Sequence, residues 1–130
     1  MFNTIRTSEA NKLRITELTN KLQLGAENVI ARLAFGYSLS KGYKLVLSDI
    51  QDSKGKEYSA RVLFGEYLLF YIAMICQNYG IYKTDRNIPR YIKLHIDDGL
   101  EKIAEQTNKK GIDFVLDEVE KGLTGQTFLY

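Results

Sequence analysis

The sequence predicts a mainly α protein, one compact helical domain with a strand-helix-helix unit at its N-terminal end and a buried helix at its centre. Three observations carry that expectation. Residues Leu68 to Cys76 (LLFYIAMIC) are apolar without a break, so the stripe that ordinarily faces a core has spread around most of a helix. Two stretches ahead of it, 8–24 and 26–40, space their apolar residues as a helix would and are parted by one glycine, Gly25. A chain of 130 residues with 45% apolar content is also long enough to fill one core without staples.

Taken in order, Met1 to Arg6 (MFNTIR) alternates apolar and polar residues and reads as a short strand. Ser8 offers an N-cap for a helix running to about Leu24, with Leu13, Ile15, Leu18 and Leu22 on one side, and Gly25 stops it. Ala26 to Ser40 forms a second helix through Val29, Ile30, Leu33, Ala34 and Tyr37, with Gly42 as its C-cap. The pair makes a tight hairpin. Tyr43 to Ile50 has the character of a short strand, and Gln51 to Tyr58 (QDSKGKEY) that of an exposed loop. The central helix occupies 59–79.

After Gly80 comes a polar connection holding the one proline, Pro89, which biases Ile88 toward extended backbone. Tyr91 to Ile96 (YIKLHI) alternates again. Asp97 to Asn108 reads as a helix on Leu100, Ile103 and Ala104, and Asp113 to Leu123 as another on Phe114, Val115, Leu116 and Val119, before a loosely held tail. No repeat or linker divides the chain. A single domain over 1–130 is expected, comprising the unit 1–40, the central helix and an acidic helical end, 96–130.

The compartment and chemistry are bounded by what the residues offer. The apolar run falls well short of the roughly 20 residues a membrane-spanning helix needs, and Arg61 and Glu66 precede it, so no membrane association is expected. One cysteine allows no intrachain disulfide, and the first residues lack a signal peptide's apolar segment; a cytoplasmic protein is expected. His95 is the one histidine, too few for a histidine metal site. Cys76 lies in the apolar run and reads as a buried, inert thiol. Asp97, Asp98 and Glu101, next to His95, are of the type that holds a divalent metal, but the two aspartates read more simply as helix N-terminal carboxylates stabilised by the dipole. Gly36, Gly42, Gly55 and Gly65 fall into no phosphate-cradling spacing, so no cofactor or metal is expected.

Charge points elsewhere. Residues 1–95 carry fourteen Lys and Arg against eight Asp and Glu, whereas 96–130 carry four against eight. A basic body suits a polyanion such as DNA. Lys41 and Lys44 flank Gly42, Lys54 and Lys56 flank Gly55, and Lys83, Arg86, Arg90 and Lys93 crowd the second connection. Lysines on exposed loops supply the phosphate contacts that dominate non-specific affinity. The start of the second helix, Ala26 to Asn28, offers free amides to an anion, opposed by Glu27.

The ordered set of a short strand, Leu22-Gln23-Leu24-Gly25, Asn28 to Ala34 (NVIARLA), Tyr37 to Ser40 (YSLS), Gly55 to Tyr58 (GKEY) and Leu63 to Glu66 (LFGE) resembles DndE, the small protein of the bacterial DNA phosphorothioation (Dnd) system. The resemblance runs from about Ile5 to Tyr79 and more weakly through the helix at Leu100. It implies a ribbon-helix-helix-like N-terminal unit, a homotetramer, and a place beside the sulphur-transferring and ATPase subunits of that system. It also implies affinity for nicked double-stranded DNA through surface lysines, and the reading adopted is a non-catalytic, DNA-binding subunit with no catalytic residue. Lys12, Lys21 and Arg32 are the best-matched basic positions, joined by Lys41, Lys44, Lys54 and Lys56 on grounds of exposure. Phe2 and Ile5 fall on opposite faces of the strand, which favours contact with the phosphate backbone over groove reading. Two rival functions stand beside this one: a metal-dependent DNA nickase using Asp49, Asp52, Glu57 or Asp97, and a pure assembly adaptor.

Overall fold

The computed structural model describes residues 2–42 and 44–110, and the helix expected at 113–123 with the tail after it lies outside them. Strand β1 (Thr4–Arg6) pairs antiparallel with β2 (Glu57–Ser59), setting Ile5 opposite Tyr58 and Arg6 opposite Glu57. Ile5 and Tyr58 are buried, while the Arg6 guanidinium meets the Glu57 carboxylate at 3.0 Å on the outer face. The strand's partner is therefore within the chain, in a stretch whose polarity reads as loop.

Helix α1 (Ala10–Leu22) starts where the Ser8 hydroxyl accepts the Asn11 N–H at 3.3 Å. It buries Ile15, Leu18 and Leu22, leaves Leu13 exposed, and ends at Gln23, whose N–H bonds back to the Thr19 carbonyl. Helix α2 (Glu27–Ser40) buries Ile30, Ala31, Ala34, Phe35, Tyr37 and Ser38, a face broad enough to meet neighbours on two sides. The strand expected at 43–50 is replaced by a single 3₁₀ turn, Leu47–Asp49.

The stretch 59–79 departs furthest from expectation. It divides into β2's last residue, a short helix α3 (Ala60–Phe64), a 3₁₀ turn (Gly65–Tyr67) and helix α4 (Leu68–Tyr79). Gly65 makes the break, at φ 56° and ψ −138°, where a side chain is strained. By length and composition 60–79 is apolar enough to cross a membrane, but its longest straight piece is the 12 residues of α4, against the roughly 20 that a spanning helix needs. Nor is α4 buried all round: Ile72 and Ile75 are buried, whereas Leu69 is 66% and Phe70 49% exposed.

The central buried helix is instead α5 (Ile88–Lys110). From Ile92 to Asp97 every side chain is buried, as are Gly99, Leu100 and Ile103. Pro89 sits in its first turn, where a missing N–H costs nothing, so Ile88 is helical rather than extended. Asp97 and Asp98 consequently lie mid-helix and not at a helix start. The most extensive packing in the molecule is α2 on α5. Phe35 extends α2's packing to α3 and α4, with ring centroids 5.3 Å from Phe64 and 5.7 Å from Tyr71.

Gly99 sets how closely α2 and α5 approach, since a Cβ there would lie 2.0 Å from the Ala34 carbonyl oxygen. Replacing a helix-interior glycine by alanine ordinarily stabilises by up to about 1 kcal/mol. Here Gly99→Ala is expected to destabilise by about 2 kcal/mol or more, because backbone must shift. Chemical denaturation measures it, and a stability equal to or above wild type would show that the helices are not in this contact.

Candidate nucleic-acid interface

Two polar clusters organise the chain around α5, with Lys93, Asp97 and His95 buried at their centres. In the first, the Lys93 ammonium donates to the Arg6 carbonyl (2.9 Å), the Asp52 carbonyl (2.7 Å) and Asp97 Oδ2 (2.9 Å). Asp97 Oδ1 accepts from the Ser8 N–H (3.0 Å) and from Asn11 Nδ2 (2.7 Å). All three ammonium protons are thus used, as a buried charge requires. The cluster ties β1, the start of α1 and the loop at 52 to one turn of α5.

In the second, His95 stands between α2 and α4. Its Nδ1 lies 2.9 Å from the Ser38 hydroxyl and its Nε2 2.7 Å from the Tyr79 hydroxyl, which donates to the Leu45 carbonyl at 2.9 Å. Ser38 also donates to Asp98 Oδ2 (2.6 Å), and Asp98 pairs with Lys102. Burial pushes the imidazolium down to about 4, outweighing the pull of Asp98, so the ring is neutral near pH 7. With the Tyr79 proton on the Leu45 carbonyl and the Ser38 proton on Asp98, both hydroxyl oxygens can accept from the ring, whose single N–H serves one of them. Burial also pushes the Tyr79 phenol up to about 12.

The cations expected to meet DNA divide into two kinds. Lys12, Lys21, Lys41, Lys44 and Lys54 are exposed. Lys21 donates to Asn108 Oδ1 at 3.3 Å, and the Lys41 ammonium sits 4.6 Å above the Tyr37 ring. Lys56 and Arg32 are engaged in the fold. The Lys56 ammonium lies 2.5 Å from Glu27 Oε2 and 2.8 Å from the Thr16 hydroxyl, so its place beside Gly55 does not leave it free as the sequence suggests. Burial alone would raise the Glu27 carboxyl, but Lys56, with hydrogen bonds from Tyr58 and Thr16, holds it below the usual range. That carboxylate, at the start of α2 where an anion site was expected, is turned onto Lys56, Thr16 and Tyr58. Arg32 donates to the Leu63 carbonyl at 2.7 Å and borders a cleft of Phe64, Glu66, Tyr67, Phe70 and Tyr71.

The exposed lysines form separate groups. Lys12 and Lys54 lie around the start of α1, because Asp52 Oδ1 accepts both the Glu9 N–H (2.9 Å) and the Lys54 N–H (3.0 Å); those backbone bonds hold its carboxyl below the usual range. Lys41 and Lys44 follow the far end of α2. The carboxylates that could serve a nickase are dispersed: Glu57 faces Arg6, Asp52 holds backbone amides, and Asp97 is buried with Lys93. Among the described residues no cluster of three or more His, Cys, Asp or Glu could hold a metal ion. Cys76 is half-buried, not fully buried, and unpaired.

Comparison with known proteins agrees with this architecture. The family model for DNA sulphur modification protein DndE matches residues 4–111. The chain belongs to the DndE family. Among solved structures it is similar to DndE from Escherichia coli B7A, described as involved in DNA phosphorothioation modification, with TM-score 0.64 and 17% identity over 79% of this chain and 98% of that one. A glycine-to-lysine DndE mutant gives TM-score 0.65 and 18% identity over the same shares. At such identity the likeness is one of fold. No curated protein matches the sequence.

Membership in the DndE family gives the chain its place in DNA sulphur modification. The structural importance of Lys93 and Asp97 was not anticipated, although their i, i+4 spacing is the one a helical ion pair uses.

The neutral state of His95 sets a pH dependence. A histidine whose folded value lies below its unfolded value near 6.5 stabilises fully above 6.5 and progressively less as pH falls toward 4. Denaturant unfolding at pH 7 and pH 5 is expected to show a loss on the order of 2 kcal/mol from this group, and His95→Gln should flatten that interval. An equal pH dependence in the variant would exclude His95 as the cause.

Proposed function

We propose that this DndE family member is a non-catalytic DNA-binding subunit of the phosphorothioation machinery. It holds nicked double-stranded DNA on exposed lysines while other Dnd subunits carry out the sulphur chemistry, and it works in the cytoplasm. The observation that carries this reading is the division of charge. Lys12, Lys44 and Lys54 reach solvent, as does Lys41 while engaged with the protein, the Tyr37 ring included, whereas Lys93, Lys56 and Arg32 are held by protein acceptors. Exposed ammonium groups on the start of α1 and the end of α2 can each neutralise a phosphate.

The nickase reading has less support, since three of its four carboxylates already hold an amide, a guanidinium or a buried ammonium. Assembly as a homotetramer is supported by two exposed apolar areas. Tyr67 and Phe70 border one cleft, with Val62 exposed on the neighbouring α3, and Leu13 and Leu24 lie on α1 and the turn after it. A closed tetramer built from one chain needs two such surfaces.

Gel-shift titration of duplex DNA across a salt series tests the binding site. A Lys12→Ala, Lys41→Ala, Lys44→Ala, Lys54→Ala quadruple variant is expected to bind roughly tenfold or more weakly at low salt and to flatten the log–log salt slope by about two to four. Unchanged affinity and slope would remove these lysines from the site. Lys56→Ala, by contrast, is expected to lower stability and leave the slope alone.

A further inference from the structure

The connection between α4 and α5 carries a group that the exposed lysines do not include. Tyr82 is 85% exposed, more than any other large apolar or aromatic side chain among the described residues. It is nevertheless held on a defined turn: its carbonyl accepts the Asp85 N–H at 2.9 Å, and the preceding Ile81 N–H bonds to the Cys76 carbonyl at 3.1 Å. A lone exposed aromatic needs no explanation. This one is followed by Lys83, Arg86 and Arg90, all exposed and none in an ion pair with a described residue.

The geometry gathers these cations together. Lys83 and Arg86 border one cleft whose remaining wall is largely apolar (Phe2, Leu69, Ile72, Ile88), and Arg86 and Arg90 border another with Thr84, Asp85 and Asn87, so Arg86 is common to both. The one carboxylate present, Asp85, accepts the Asn87 N–H at 2.8 Å and thereby serves the start of α5. Two arginines with no carboxylate partner present planar donor forks suited to phosphate oxygens.

We infer that Tyr82, Lys83, Arg86 and Arg90 form a contact surface for DNA at an exposed base face, with Tyr82 stacking on the base and the cations holding the flanking phosphates. This rests on the DNA-binding reading above and adds to it the basis for preferring broken duplex. An intact duplex presents no base face to a side chain at its surface, whereas a nick lets the helix open and exposes two. A tyrosine ring offers a matching flat face, and a base accepts it whatever the sequence. Phosphate contacts alone tell nicked from intact duplex only through the greater deformability of the nicked site, whereas a ring stacked on the opened base reads the break directly.

Fluorescence anisotropy with the full chain and labelled oligonucleotides of one sequence, as intact duplex, singly nicked duplex and single strand, separates the possibilities. Tyr82→Ala is expected to reduce the nicked-to-intact affinity ratio by about fivefold or more, the lower end of one base–aromatic stack, with intact-duplex binding nearly unchanged. Tyr82→Phe should keep the ratio and Tyr82→Leu should lose it. Arg86→Ala with Arg90→Ala should weaken all duplex forms and lower the salt slope by up to about two. A ratio unchanged in Tyr82→Ala overturns the inference and leaves DNA binding standing. An effect confined to single strand overturns the assignment to a break. Failure of the unaltered protein to bind any DNA overturns both readings.

Discussion

The fold depends on one buried charge being fully satisfied. Removing an ammonium and a carboxylate from water costs several kcal/mol per ion, and their attraction repays this when every proton and lone pair finds a partner. Lys93 and Asp97 meet that condition through groups drawn from β1, α1 and the loop at 52. Those segments are distant in sequence from α5, so the cluster works as a register pin. Unless β1 and the start of α1 lie against this turn of α5, a charge is left buried without partners, and arrangements that lack the contact are disfavoured.

From that pin the rest of the architecture follows. With β1 fixed, β2 pairs with it in the one register that buries Ile5 against Tyr58. With α5 fixed, the missing side chain at Gly99 lets α2 lie directly on it, and His95 joins Ser38 of α2 to Tyr79 of α4. The core therefore contains two polar clusters on a single helix, each completed by other elements. The price is that α5 cannot be read as a core helix from its composition.

How legible this was varies with the range of the forces involved. Helices α1 and α2 were readable because their spacing of Ile15, Leu18, Leu22, Ile30 and Ala34 is a local property. Strand β2 was not, since Glu57 to Ser59 is a strand only through its distant partner. The alternation in Tyr91 to Ile96 resembled a strand because a helix buried on every side can place Lys93 and His95 between apolar residues when each has acceptors or donors waiting. The run at 68–76 was read as the centre because it is the most apolar. Composition tells that such a surface wants cover but not where the cover comes from, and within one chain α4 leaves Leu69 and Phe70 outside. Of the candidate site, the exposure of Lys12, Lys41, Lys44 and Lys54 was legible from their neighbours in sequence, while the capture of Lys56 by Glu27 was not, since Glu27 lies on another element.

Charge in this chain thus does two jobs on different residues. Some cations hold segments together from within, and others stand in solvent where phosphates can reach them. Lysine acylation read by mass spectrometry, on the free protein and on its complex with nicked duplex DNA, tests that division most directly. Lys12, Lys44, Lys54 and Lys83 should react readily when free and be shielded in the complex, with Lys93 slow in both states and Lys56 unshielded by DNA. Rapid acylation of Lys93 in the folded protein, or exposed lysines that DNA leaves untouched, would contradict it.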